Sequence, residues 1–187
     1  MVKDLSKNAN IAVISGSVPR GVEPEFYYQA IKDIPDNVKI VVDAEKANLA
    51  SALKRSLYLI KPNLTELEEY VGSSLNSKKE IISATKVFLD KGVENVIVSL
   101  GADGAILTDG TNSYFCRSAS VAVNSTVGAG DSMVAATCVM TERGAGKEEI
   151  LRCAVAAGTA SIMTPGTNLF YKDKYDEIYK RLRVEKI

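Results

Sequence analysis

Four short apolar runs between residues 10 and 100 each stop on a residue that turns the backbone. Asn10–Ser15 closes on Gly16, and Val38–Val42 on Asp43. Leu57–Ile60 closes on Lys61-Pro62-Asn63, and Val96–Leu100 on Gly101. Between them lie segments with helical spacing over 24–34 and 45–54 and after Pro62 and Ser77. Apolar strands alternating with helices predict an α/β chain: a mostly parallel sheet with helices on both faces. Ligands of such sheets bind beyond the carboxyl ends of the strands. Gly16, Asp43, Asn63 and Gly101 all follow strand ends, so the pattern predicts a shared rim.

Local punctuation refines this outline. Thr65 with Glu68, and Ser77 with Glu80, carry the spacing of helix N-caps. After Ser77, Ile81, Ala84, Thr85, Phe88 and Leu89 fall on one helical face, and Gly92 ends it. Ala105–Thr108 and Ser113–Cys116 flank Asp109-Gly110, which predicts a β-hairpin on the C-terminal side of the sheet. Everything beyond it reads as helical: 130–143, 147–163, and a last helix with Tyr175, Ile178, Tyr179 and Leu182 on one stripe. Gly144-Ala145-Gly146-Lys147 hints at a phosphate loop, but Glu148 follows where Ser or Thr is required. It reads as a helix–helix turn.

Composition excludes several functions. The chain has 187 residues, the size of a single domain. Its 23 basic and 23 acidic residues cancel without a long run of one sign, which argues against a nucleic-acid surface or a polybasic membrane contact. No apolar run reaches spanning length and no signal-peptide core follows Met1. Cys116, Cys138 and Cys153 are widely spaced, which predicts buried reduced thiols and a cytoplasmic protein. There is no histidine. General acid–base chemistry must therefore use a carboxylate, lysine, tyrosine or cysteine, and histidine triads and histidine-ligated zinc are excluded.

The segment richest in chemistry is Val127-Gly128-Ala129-Gly130-Asp131. Its glycines let the backbone turn tightly and present N–H groups unobstructed. The small apolar run behind it predicts a helix, whose N-terminus favours an anion. An aspartate there is also at home as a simple helix-start carboxylate, and the residues alone leave both readings open.

Four segments, in order, resemble the ribokinase/phosphofructokinase-B family of sugar kinases. Ser15-Gly16-Ser17-Val18-Pro19-Arg20-Gly21 is similar to its Ser-Gly-Ser-x-Pro-x-Gly loop. Lys61-Pro62-Asn63-Leu64-Thr65-Glu66 is similar to its Asn-x-x-Glu motif, and Ser99–Gly104 to its nucleotide turn. Gly128–Asp131 matches its second signature. Ser125-Thr126 ahead of that signature resembles the form of bacterial 1-phosphofructokinases most closely, and Thr164–Thr167 near the end resembles the 1-phosphofructokinase and tagatose-6-phosphate kinase branch.

The resemblance implies a ribokinase-like fold and ATP-dependent phosphorylation of a ketohexose phosphate. Transfer goes to the C1 hydroxyl in the general reading, or to the C6 side if the substrate is fructose 1-phosphate. Asp131 is implied as base, with Gly128, Ala129 and Gly130 cradling the transferred phosphoryl group. Lys61, Asn63, Glu66, Ser99, Gly101 and Gly104 are implied to meet ATP. Asn63 and Glu66 are implied to order Mg²⁺ through water, and Ser17 to face the sugar phosphate. The glycines and Ser99 also serve any strand-to-hairpin connection, Glu66 also suits a helix start, and Ser17 also suits a conformational role in its loop.

Residues 1–187 then correspond to a single, truncated C-terminal nucleotide-binding part, with the family's first strands and lid missing. A homodimer or a separate N-terminal partner chain is the implied assembly. The alternatives are a tagatose-6-phosphate kinase, or an inactive nucleotide-binding fragment or subunit of a split kinase.

Overall fold

The apolar runs are strands. The computed structural model describes residues 2–166 and 168–187, so Met1 and Thr167, the latter part of the branch motif, lie outside the described residues. The chain forms two compact units, Met1–Val98 with Thr108–Thr111, and Ser99–Leu107 with Asn112–Ile187. Among the described residues there are seven strands and eight α-helices, a mixed α/β architecture.

In the first unit β1 (Ile11–Ser15), β2 (Lys39–Asp43), β3 (Leu57–Ile60) and β4 (Val93–Ser99) lie side by side in chain order, all parallel. Ser15 is opposite Asp43, Val42 opposite Ile60, and Ile60 opposite Val96. β1, β2 and β3 therefore end level with one another, while β4 runs on to Ser99. Val42, Ile60, Val96, Ile97 and Val98 are fully buried, the condition of strands covered on both faces. β1 differs, with Val13 at 46% exposure. β4 starts at Val93 rather than Val96, because Val93 and Asn95 pair with Leu57 and Leu59 although exposed Glu94 interrupts the apolar run.

Five helices belong to this unit: α1 (Val2–Ser6), α2 (Phe26–Ile31), α3 (Lys46–Ala52), α4 (Leu64–Val71) and α5 (Lys78–Leu89). The sequence pattern did not predict α1. α2 is shorter than its pattern for a tertiary reason. Arg55 Nη1 donates to the carbonyls of Ile31 and Lys32 at 2.7 and 2.8 Å, and Nη2 to that of Ile34 at 2.5 Å. The guanidinium thus gathers the carbonyls at the end of α2, where intrahelical donors run out, joining the Ile34 N–H at the Ile31 carbonyl.

The cap of α4 corrects the sequence reading. Asn63, not Thr65, is the N-cap: its Oδ1 accepts the Glu66 N–H, and the Glu66 carboxylate accepts the Asn63 N–H, both at 2.8 Å. Glu68 instead closes the far end of the helix, its carbonyl accepting the Gly72 N–H and its carboxylate the Leu75 N–H. Asn competes as well as Ser or Thr for this position, and the extended Asn63 backbone suits it. At α5, Ser77 is the cap as predicted, but the Glu80 carboxylate returns to the Asn76 N–H, one residue earlier than a reciprocal box requires.

The second unit holds the hairpin strands β5 (Ala105–Thr108) and β6 (Ser113–Cys116), with α6 (Ala129–Glu142), α7 (Lys147–Ser161) and α8 (Lys172–Arg181). A final strand, β7 (Val184–Lys186), overturns the expectation that everything after the hairpin is helical. It pairs antiparallel with β6, Cys116 opposite Val184. Three residues carry no periodicity of their own, so only the nearby edge of β6 makes them a strand.

α7 is the buried spine of this unit, with Ala154, Ala156, Ala157 and Ala160 at zero exposure. A methyl group on Gly158 would lie 2.8 Å from Met133 Cγ, so glycine lets α6 and α7 approach closely. Gly144–Gly146 forms the turn between them, as predicted, with Gly144 at φ 70°. Arg152 of α7 stacks 3.9 Å from the Tyr179 ring centre and donates to the Tyr179 carbonyl, docking α8.

Candidate active site

In the first unit the carboxyl ends of β2 and β3 bring charge together. Lys61 follows β3, and its Nζ lies 3.3 Å from Oδ2 of Asp43, the last residue of β2. The side chains are 7% and 20% exposed. An ammonium removed from water to this degree requires a partner, and Asp43 supplies it. Sequence reasoning placed Asp43 at a strand end but gave it no role. The available signal was opposite charges at the ends of adjacent parallel strands.

Asn63 and Glu66, both half-buried, enclose the first turn of α4. Their capping box engages Asn63 Oδ1 and one carboxylate oxygen of Glu66, leaving the other Glu66 oxygen for a further partner. Burial pushes the Glu66 carboxyl above its usual range. The bond from the Asn63 N–H and the charge of Lys61 pull it back, while Asp43 and Glu45 add to the rise. Among the described residues no three His, Cys, Asp or Glu side chains converge as a metal cage. Glu66 thus presents one uncommitted carboxylate oxygen beside the start of α4, an oxygen donor of the class that hard cations and their waters take.

Gly16 turns the chain after β1 at φ 95°. Its N–H donates to the Asp43 carbonyl at 3.2 Å, and its own carbonyl accepts the Tyr27 hydroxyl at 2.5 Å. Tyr27 is only 3% exposed, and burial together with the Asp43 charge raises its phenol. Ser17, the next residue, is exposed.

In the second unit a 3₁₀ turn, Gly101–Asp103, follows Ser99. The Leu100 N–H donates to the Gly104 carbonyl at 2.8 Å, and the Gly104 N–H to the Gly101 carbonyl at 3.2 Å. The two glycines are not equivalent. Gly101, at φ 59°, has open space where a methyl group would sit. At Gly104, φ 106°, a methyl would fall 1.9 Å from the Cys116 carbonyl oxygen and 2.8 Å from Arg117 Cα. Gly104 is thus required by the crossing of 116–118, whatever it binds.

Gly128 is the N-cap of α6 in the left-handed region, φ 81°, which glycine adopts without cost. Ala129, Gly130 and Asp131 form the first helical turn, where N–H groups lack intrahelical acceptors and the dipole is positive. Asp131 is exposed. The approach to this turn is anchored on the end of α7. The Asn124 N–H donates to the Ile162 carbonyl at 2.8 Å, and Asn124 Nδ2 to the Met163 carbonyl at 2.6 Å. Val127 N–H donates to Ser125 Oγ at 3.2 Å, giving Ser125 a conformational role ahead of the glycines.

Two of the three cysteines, Cys116 and Cys153, are buried as predicted; Cys138 is partly exposed, and all are free thiols. No helix among the described residues is long and apolar enough to cross a membrane.

Comparison with known proteins places these local geometries. The chain is 36% identical over 182 residues to 1-phosphofructokinase of Haemophilus influenzae, covering 96% of this chain and 58% of that protein. It is 35% identical to 1-phosphofructokinase of Borreliella burgdorferi, covering 100% of this chain and 60% of the relative. The chain thus spans about three-fifths of the length of these curated relatives. The crystal structure of phosphofructokinase-2 from Escherichia coli superposes with a TM-score of 0.86 at 34% identity, over 96% of this chain and 60% of that one. This carries the ribokinase-like α/β fold expected from the sequence motifs. The family model of pfkB carbohydrate kinases matches residues 1–174. The chain belongs to the pfkB family of carbohydrate kinases.

Proposed function

We propose that this chain carries the nucleotide-binding and phosphoryl-transfer residues of an ATP-dependent ketohexose-phosphate kinase of the 1-phosphofructokinase type. The observation that carries this reading is local. An exposed carboxylate, Asp131, stands in the first turn of α6, three residues after Gly128, which caps the helix at φ 81°. In a chain without histidine, an exposed carboxylate at a helix N-terminus, where N–H groups lack intrahelical acceptors, suits a base that works next to a phosphate.

Phosphoryl transfer asks the protein for positioning, charge neutralisation and a proton acceptor. Asp131 accepts the proton of the attacking sugar hydroxyl, on the C6 side of fructose 1-phosphate, as that oxygen bonds to the γ-phosphorus and ADP leaves. N–H groups of Gly128, Ala129 and Gly130 hold the equatorial oxygens as their charge redistributes. Lys61 meets the phosphate chain, Ser99, Gly101 and Gly104 line the nucleotide, and Ser17 faces the sugar phosphate. Glu66, with Asn63 setting its orientation, holds a water of the magnesium ion, whose chemistry when bound is to neutralise phosphate charge.

The test is turnover measured as ADP release with fructose 1-phosphate, fructose 6-phosphate or tagatose 6-phosphate. The chain is assayed alone and with the remaining portion of the Haemophilus influenzae relative supplied in trans. Fructose 1-phosphate is the expected substrate. Asp131→Asn is expected to lower turnover about 10²–10⁴-fold while leaving Mg·ATP affinity within about threefold. Undiminished turnover by D131N removes Asp131 as base, and preference for tagatose 6-phosphate moves the chain to that neighbouring activity.

A further inference from the structure

The charged and hydrogen-bonded groups at the ends of β1, β2 and β3 form one connected brace. Asp43 lies at its centre, because β2 sits between the other two strands and the three end level. On one side its backbone carbonyl takes the Gly16 N–H at 3.2 Å. On the other its carboxylate lies 3.3 Å from Lys61 Nζ. The Gly16 carbonyl is held in turn by the Tyr27 hydroxyl, so both backbone groups of Gly16 are engaged just before Ser17.

We propose that Asp43 is a positioning residue for this site: it holds the buried Lys61 ammonium in place for the nucleotide phosphates and ties it to the Gly16–Ser17 loop. The inference rests on the reading of Lys61 as a phosphate contact. A lysine carries its charge on a flexible four-carbon stem, so a fixed direction has to be imposed by a partner. Asp43 imposes it from the end of a strand flanked by two others, its own carbonyl held by the Gly16 N–H. The sign of the effect distinguishes this role from simple proximity. A carboxylate that merely stood near bound phosphates would repel them, and its neutralisation would strengthen binding. A carboxylate that acts through Lys61 gives the opposite result.

The experiment is a double-mutant cycle on the full chain, read as Mg·ATP affinity by calorimetry well below the melting temperature of each variant. Asp43→Asn is expected to weaken binding by about tenfold, Lys61→Met by at least as much, and the double variant no further than K61M alone. Tighter or unchanged binding by D43N overturns the inference and leaves the nucleotide reading standing. So does a double variant that loses the product of the two single effects, which is what a purely structural role for Asp43 produces. No Mg·ATP binding by the unmodified chain overturns the nucleotide reading and this inference with it. If D43N does not fold, Asp43→Glu keeps the charge but displaces the carboxylate by a methylene, and the same cycle with K61M decides.

Discussion

Gly101 and Gly104 sit three residues apart in one turn, both with positive φ, yet alanine should affect them very differently. At Gly104 the backbone is at φ 106°, ψ −133°, a region that essentially only glycine occupies. Forcing a side chain to hold it costs about 1–3 kcal/mol. The added methyl would also lie 1.9 Å from the Cys116 carbonyl oxygen and 2.8 Å from both Arg117 Cα and Ser118 N. These are backbone atoms that cannot swing away, and displacing them adds about 1–3 kcal/mol more. Gly104→Ala should therefore lose about 2–6 kcal/mol, a large share of a typical domain's 5–15 kcal/mol.

At Gly101 the backbone is an ordinary left-handed one with open space around the absent Cβ. Alanine there costs about 1–2 kcal/mol, partly offset by a stiffer unfolded chain. The assay is urea unfolding followed by circular dichroism, with midpoints compared at unchanged slope. Losses within about 1 kcal/mol of each other would refute the steric argument. The pair also separates structure from binding. If the turn is the nucleotide wall, Gly101→Ala should weaken Mg·ATP far more than its small stability loss explains.

Asn63→Ala should cost about 1 kcal/mol through the lost cap of α4, while Thr65→Ala stays within about 0.5 kcal/mol; equal losses in chemical unfolding would return the cap to Thr65. Glu66→Gln preserves a capping partner but removes a carboxyl whose proton is held more tightly in the folded state. Glu66 favours folding most below its ordinary value near 4.5 and loses that contribution as pH rises to its raised one. E66Q should flatten the fall in stability above pH 4.5 and still lower Mg·ATP turnover, and an unchanged pH profile counts against the burial of Glu66. Cys116, whose thiol burial pushes up to about 11, should react with a disulfide reagent at pH 8 only on unfolding, with about one in a thousand as thiolate; rapid native labelling there contradicts its burial.

How much of this was legible in the sequence varies by residue. The strand ends at Gly16, Asp43 and Asn63 could be read from apolar runs closing on turn formers, because a parallel strand buried on both faces has no polar alternation to blur its limits. The hairpin about Asp109-Gly110 was legible for a local reason too, since Gly110 sits at φ 85° and the Asp109 side chain accepts the Thr111 N–H. The cap of α4 was misplaced by two residues, because Thr65 and Glu68 have the same spacing as Asn63 and Glu66. Only the extended backbone at Asn63 chooses between them. β7 was invisible, since its three residues become a strand through β6 alone.

The sequence by itself determined the order of the elements from β1 to α8, the absence of histidine chemistry, and the glycine-flanked carboxylate at Gly128–Asp131 with the family it points to. These depend on neighbours along the chain, where periodicity and turn chemistry act. Tertiary structure alone decided that Lys61 is buried against Asp43, that Tyr27 and Asp43 hold the two sides of Gly16, and that Gly104 is needed because 116–118 crosses it. Each of these is a contact between segments distant in the chain. Its distance depends on how the strands align, which no local pattern encodes.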